Sequence, residues 1–304
     1  MTLPRLIVVG ASGVIGSALM RVALAAGRRA IGTGLSRPGS TLVPFDMRRA
    51  PLRTIVPDLG PGDVVYLLAG YISAPWIFAN PEAARELNLE ASGRLTDEVI
   101  AAGARLVFMS TDAVFDGITG GYTETATPKP LNLYGRLKMA MEEHVLGANG
   151  SGIVARTGWN VAWEKGAHCA VAQCYDTLLK PGARMAHDNV ISISDVDDTT
   201  RGLLALAGVR PPEHRVYHLV STPGVARVDL AATVKATSRW GAEMAYDTVA
   251  FASLPYTEPR PTRAFLGSER LGALGVVFAP PLAVIRRKVR LLDEWRAAES
   301  GVNS

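Results

Sequence analysis

Apolar residues in the first half of the chain fall in short unbroken runs, separated by stretches in which they recur every three or four positions. Residues 6–10, 29–34, 42–45, 64–68, 105–109 and 152–155 are runs of the first kind. Runs this short, bounded by turn residues, read as strands rather than helices. Residues 13–26, 81–102 and 134–146 carry the helical period. Gly27 closes the first, while Asn80 opens and Gly103 closes the second, the residue types expected at those ends. Strands alternating with helices predict an α/β fold with a doubly wound parallel sheet.

After residue 157 the pattern loosens. Residues 161–186 predict a loop and a helix outside the sheet, and 190–193 and 216–220 predict strands flanking a helix over 197–207. From residue 223 prolines cluster, at Pro255, Pro259, Pro261, Pro280 and Pro281, around short helices. The expected organisation is a main domain over 1–160, with 190–222 returning to its sheet. A smaller C-terminal lobe takes 161–189 and 223–304.

Composition narrows the classes. The 304 residues suffice for one such domain with its lobe. A net charge of +4 suits a phosphate-bearing partner but is too small to indicate nucleic acid. Cys169 and Cys174 are the only cysteines; they fit a reducing compartment, and with His168 they fall short of a zinc donor set, so no metal is expected. No apolar run approaches the ~20 residues that span a bilayer, and the first strand begins within five residues of the start. A cytoplasmic protein without a membrane partner is the expectation. Arg286, Lys288 and Arg290 stand opposite the apolar positions Val284, Ile285, Val289 and Leu292, which predicts an amphipathic helix with solvated charges.

Gly10, Gly13 and Gly16, with Ser12, Val14 and Ile15 between them, join the first strand to the first helix. That context gives a glycine turn its meaning: the backbone can approach a pyrophosphate, and the helix N-terminus offers free N–H groups. A dinucleotide-binding Rossmann sheet is therefore expected. An NAD site usually places a carboxylate about twenty residues further on. This chain has no acidic residue before Asp46, and the second strand runs into Ser36 and Arg37, which could hold a 2′-phosphate. NADPH is expected in preference to NAD. Asp46 and its neighbour Met47, past the third strand, are candidates to contact adenine, unless Asp46 merely forms a turn.

Ser110 and Thr111 end an apolar strand, and Tyr134 and Lys138 stand four apart at the start of a helix. That spacing puts both side chains on one face. A tyrosine titrates near 10 and needs a neighbouring cation to work near neutrality. Lys138 can supply the cation, and a Thr111 hydroxyl can orient a carbonyl oxygen.

With the Tyr122-x-Glu124, Pro130-Leu-Asn132 and Arg156-Thr157 segments and the late Arg260-Pro261 added, the chain resembles the extended short-chain dehydrogenase/reductases. Within them it is similar to the dTDP-4-dehydrorhamnose reductases, most densely over residues 1–160. The resemblance implies a Thr111, Tyr134 and Lys138 triad, Leu68, Ala69 and Gly70 beside the cofactor, and Asn88 as a supporting helix asparagine. Substrate contacts are expected from Ser110, Thr111, Val114 and Phe115, and from Arg260 as a diphosphate ligand. Trp159 and Trp163 either line the pocket or pack at a hinge. Related dehydratases carry Thr-Asp-Glu where this chain has Ala113 as the third residue, which favours ketone reduction over elimination. The expected function is NADPH-dependent reduction of a nucleotide-linked 4-keto-6-deoxy sugar. Two rivals stay open: an epimerase with tightly bound NAD, and an NADP-binding regulatory protein like the regulatory subunit of methionine adenosyltransferase. A homodimer is left open as well.

Overall fold

The computed structural model describes residues 3–35, 41–148, 150, 152–167, 169–209 and 214–300. Its first half alternates as expected: β1 (Arg5–Val9), α1 (Val14–Ala25), β2 (Ala30–Gly34), β3 (Val43–Pro44), β4 (Asp63–Leu67), α2 (Ala74–Ala79), α3 (Pro81–Arg85), α4 (Ser92–Ala101), β5 (Arg105–Thr111), α5 (Leu133–Gly147) and β6 (Ile153–Thr157). Then come β7 (Trp159–Val161), α6 (Ala170–Leu178), β8 (Arg184–Ala186), β9 (Val190–Ile191), β10 (Ile193–Asp195), α7 (Val196–Gly208), β11 (Val216–His218), β12 (Val225–Ala226), α8 (Arg227–Thr237), β13 (Asp247–Val249) and α9 (Pro281–Ser300).

Seven parallel strands form the main sheet in the order β11-β6-β5-β4-β1-β2-β3. The chain runs outward from β1 in one direction and restarts at β4 in the other. The crevice beyond the carboxyl ends of β1 and β4 is thus the switch point at which such sheets bind ligands. Period-2 alternation sorts the strand residues into two buried layers. Ile7, Val9, Val65, Leu67, Leu106 and Phe108 pack under Leu95 and Val99 of α4 and Met141 and Val145 of α5. Leu6, Val8, Val64, Tyr66, Val107 and Met109 pack under Leu19 and Ala23 of α1 and Leu203 and Leu206 of α7. At about 1.5–3 kcal/mol per large apolar side chain buried, these layers hold β5 rigid up to Thr111.

The pitch of the long helical stretch is uneven. Helix continues from α3 to α4 through a π-helical turn, Glu86–Ala91, a local widening often found at functional sites. Asn80 precedes α3, but its side chain caps nothing and donates to the Trp76 carbonyl.

Only β11 and its preceding helix α7 return to the main domain from 190–222. β9 pairs with β12 and β10 with β7, outside the seven-stranded sheet. The lobe has its own core, in which Cys174, Tyr175 and Leu178 of α6, Leu230 and Val234 of α8, and Ile285 and Val289 of α9 meet. One charge expected in water, Lys288, is not there, whereas Arg287 is exposed. Lys288 is 1% exposed, with its ammonium 4.4 Å from the Trp295 ring centre, and Arg287 stacks on Trp163 and reaches Asp195 at 3.4 Å. The α9 face that meets the lobe is wider than its apolar stripe, because long basic side chains cover apolar surface with their stems. Cys169 and Cys174 are buried free thiols, while His168 lies outside the described residues. No helix among the described residues is long and apolar enough to cross a membrane.

Candidate active site

The glycine turn is shaped by steric need at two of its three glycines. Gly10 has φ +96°, and a Cβ there would lie 2.6 Å from the Ala69 nitrogen; one at Gly16 would lie 2.2 Å from the Gly10 oxygen. Gly10 therefore lets β4's end close on the turn, and Gly16 lets α1 pack on β1. Gly13 is different. It is exposed, it meets nothing nearer than 3.5 Å, and it begins α1 without a side-chain cap, so the helix's first N–H groups face the crevice.

Leu68 and Ala69 both donate to the Val9 carbonyl, at 2.9 Å, which holds residues 68–70 against the turn. Ser12 is exposed, Val14 and Ile15 are half-buried, and Ser12 Oγ approaches the end of β2 at Gly34. Ser36 and Arg37 lie outside the described residues. Asp46 is spent on its own loop: it accepts from Arg48 Nε at 2.9 Å and Nη2 at 2.7 Å, and from the Arg48 N–H at 3.1 Å. Those bonds hold its carboxyl below the usual range. The structure thus gives Asp46 the turn-forming role, and Met47 is 6% exposed in the core. Just outside it, Arg48, Arg49, Arg53, Arg94 and Glu98 line a cavity of about 470 Å³ that none of the triad residues borders.

At the other side of the crevice the strand end and the helix converge. Asn132 begins α5 by accepting from the Gly135 N–H at 3.0 Å, and it donates to the Pro259 carbonyl at 3.0 Å. The cap fixes where Tyr134 and Lys138 start. Lys138 is 6% exposed and donates to the Met109 carbonyl at 2.9 Å. Burial lowers its pKa to about 8, against the opposing pull of Glu142. Burial pushes the Tyr134 phenol up, its hydrogen bond with Thr111 pulls it down, and Asp112 adds to the rise. In this state the lowering influence on Tyr134 is therefore the Thr111 hydroxyl, not the lysine expected from the spacing, because the ammonium is turned to the strand. Thr111 also donates to Asp112 at 3.0 Å, and burial raises Asp112 to about 6.

Gly70 joins the two halves. A Cβ there would stand 3.1 Å from Asn88 Oδ1 and 4.0 Å from Lys138 Nζ. Asn88, on the π-helical turn, brackets Tyr71 by accepting from its N–H and donating to its carbonyl, both at 2.8 Å. The asparagine therefore secures the 70–71 backbone beside the lysine.

Ser110, Val114 and Phe115 do not join this cluster. Ser110 is 3% exposed and donates to Glu142, which is locked in a buried pair with Arg156 at 2.6 and 2.9 Å. Arg156 also meets His218 Nε2 at 3.3 Å, and burial lowers that imidazole to about 4. Val114 and Phe115 are fully buried; Phe115 stacks on Tyr122 at 4.3 Å between ring centres. These three side chains are buried apart from the Thr111, Tyr134 and Lys138 cluster. Glu142 was missed in the sequence, although a carboxylate four residues after Lys138 on the helix's inner face was the available signal.

Trp159 is half-buried, next to Gly158, where a Cβ would sit 3.2 Å from Asp112 Oδ2; it thus borders the cluster. Trp163 instead packs in the lobe and donates to Asp195 at 2.9 Å. Arg260 is neutralised locally, by Glu258 at 2.7 and 3.0 Å, and stacks on Tyr256.

Comparison with known proteins bears on the family and the fold. Residues 4–283 match the family model described as the RmlD substrate binding domain. The dTDP-4-dehydrorhamnose reductase of Mycobacterium tuberculosis (strain H37Rv) is 30% identical over 280 residues, covering 90% of this chain and 88% of the relative. Methionine adenosyltransferase 2 subunit beta from Rattus norvegicus is 33% identical over 153 residues, covering 50% of this chain and 46% of that protein; this chain thus spans about half the length of such relatives. Among solved structures, a dTDP-4-dehydrorhamnose reductase from Clostridium acetobutylicum superposes with a TM-score of 0.82 at 19% identity, over 95% of this chain and 99% of that one. The reductase from Bacillus anthracis in complex with NADP gives 0.75 at 20%, over 94% and 98%. At these identities the superpositions speak for the fold. The family match and the near full-length relative together show that this chain belongs to the RmlD substrate binding domain family.

Proposed function

We propose that the protein is an NADPH-dependent reductase of a nucleotide-linked 4-keto-6-deoxy sugar. The observation that carries this reading is the meeting of Thr111, Tyr134 and Lys138 with Gly70 and Asn88 at the carboxyl end of β5, across the crevice from the exposed Gly13 turn. The residues fit a dinucleotide: Gly10 and Gly70 leave backbone walls that a Cβ would fill, and the start of α1 presents free N–H groups to a pyrophosphate. Its relatives' names supply the substrate class, and the NADP complex of one of them supports the cofactor.

The preference for NADPH rests on charge. No carboxylate precedes Asp46, and Asp46 is itself neutralised by Arg48. Beside Asp46, Arg49, Arg53 and Arg94 line a cavity with Glu98 as its one carboxylate, a net positive wall that favours a phosphate over a bare ribose.

NADPH, when bound, supplies a hydride to the ketone carbon. Thr111 turns its hydroxyl from Asp112 to the carbonyl oxygen and orients it. Tyr134 donates its phenolic proton to that oxygen as negative charge develops, giving the alcohol. Lys138, once released from Met109, stabilises the phenolate left behind, and Tyr134 is reprotonated from solvent. Ala113 offers no carboxylate to abstract a sugar proton, which separates this chemistry from elimination.

Deuteride-labelled NADPH and a dTDP-4-keto-6-deoxy sugar test the reading. Stoichiometric transfer of one deuterium to the sugar's C4, with matching cofactor oxidation, is expected. Sugar inversion without net cofactor consumption points to an epimerase. Tight NADP binding without transfer to any nucleotide-linked ketone favours the regulatory reading suggested by the half-length relatives.

A further inference from the structure

In the lobe, half-buried Arg227 carries no counter-charge among the described residues. Arg227 is the first residue of α8, directly after Ala226, which caps nothing. A cation at this end of a helix opposes the helix dipole. Burial draws its guanidinium below the usual arginine range. Its nearest electrostatic neighbours are Tyr256 and Cys174, neither of them a carboxylate, while Arg260 adds a second positive charge. Arg227 Nε donates to Asn189 Oδ1 at 3.2 Å, and the guanidinium lies 5.2 Å from the Trp159 ring centre. Among the described residues no carboxylate pairs with it, and both Nη groups are without hydrogen bonds.

Two other arginines of the lobe, Arg260 and Arg287, are answered by carboxylates. Arg260 is held by Glu258, and Arg287 by Asp195. Arg227 bears three electrostatic disadvantages together: partial desolvation, the helix end and Arg260. Its position gives them a use. Thr111 bonds Asp112, Asp112 abuts Gly158, and the next residue, Trp159, carries Arg227 on its ring. The cation therefore borders the same cleft as the reacting groups, beyond the Trp159 ring.

We propose that Arg227, rather than Arg260, receives the diphosphate of the nucleotide sugar, its two Nη groups donating to phosphate oxygens while Asn189 and Trp159 fix the plane of the fork. This rests on the nucleotide-sugar reading above. A guanidinium presents paired donors to phosphate in one plane, which an ammonium cannot do.

Calorimetric titration of the full-length protein with thymidine diphosphate and with uridine diphosphate tests it, with thymidine as the uncharged control and NADP affinity measured alongside. Arg227→Gln is expected to weaken nucleoside diphosphate binding by about 10- to 100-fold, the range for hydrogen bonds to charged groups. Thymidine and NADP affinity should stay within about threefold, and the melting temperature should hold or rise, because a desolvated charge has been removed. Unchanged diphosphate affinity in that variant overturns the assignment and leaves the reductase reading intact. If the wild type binds neither diphosphate, the nucleotide-sugar reading falls and this inference with it. Should Arg227→Gln not fold, Arg227→Lys decides: it keeps the charge but loses the fork, so a severalfold loss is expected, and wild-type affinity overturns the assignment.

Discussion

Ser110 and Thr111 are adjacent hydroxyl residues at one strand end, yet they belong to different machines. Strand alternation sends them to opposite sides of the sheet. Ser110 enters a closed network with Glu142, Arg156 and His218, in which every charge has a partner. Thr111 faces a set with spare capacity: a phenol, a carboxyl at about 6 and an ammonium at about 8 held only by a backbone carbonyl. Saturated groups fix position, and unsaturated ones are available to a substrate. The contrast teaches that the residue type at a strand end says little until its face is known.

Mutations on the two sides should separate cleanly. The largest effect is expected behind the strand: Glu142→Ala leaves Arg156 charged and unpaired in the core, destabilising the fold by about 3–5 kcal/mol, readable in urea denaturation. A smaller loss there makes the network less central than its geometry indicates. On the front, Thr111→Val should lower kcat about 10²- to 10³-fold, the size associated with one oriented donor to a developing oxyanion, with a stability change under about 1 kcal/mol. Ser110→Ala should do the reverse, costing about 1–3 kcal/mol of stability through the acceptor it strips of a donor while kcat stays within about threefold. An equal kcat loss in both variants would erase the distinction between the faces.

The smallest effect is a pH signature. Lys138 titrates at about 8 in the folded protein, below the ordinary 10.5. Between those values the unfolded chain binds more protons than the native one, so this group makes stability rise with pH there. Activity should move oppositely: kcat/KM, which reports the free enzyme, should fall as pH passes about 8 and the ammonium is lost. Parallel decline of both quantities would remove Lys138 as the cause.

What could be read in the sequence follows the same division. The glycine turn, the strand order's first half and the Tyr134–Lys138 spacing are local patterns, each set by neighbours within one turn of helix or strand. The choice of Thr111 over Ser110 rests on a resemblance; the structure sets Thr111 beside Tyr134, and Ser110, Val114 and Phe115 in buried packing. The Glu142–Arg156–His218 network was illegible: its members are 14 and 62 residues apart, and no local period joins them. Lys288 reads as solvated from its place opposite the apolar stripe, though its ammonium lies against Trp295. The lobe's short strands pair across long sequence gaps, so their departure from the main sheet left no local trace.

Everything on the front face depends on Tyr134 as the proton donor. NADPH consumption with a dTDP-4-keto-6-deoxy sugar, compared between wild type and Tyr134→Phe at matched cofactor saturation, tests this directly. The phenylalanine variant should bind NADPH as before and lose turnover by about 10²- to 10⁴-fold, the contribution of general acid catalysis. Undiminished turnover in that variant contradicts the assignment.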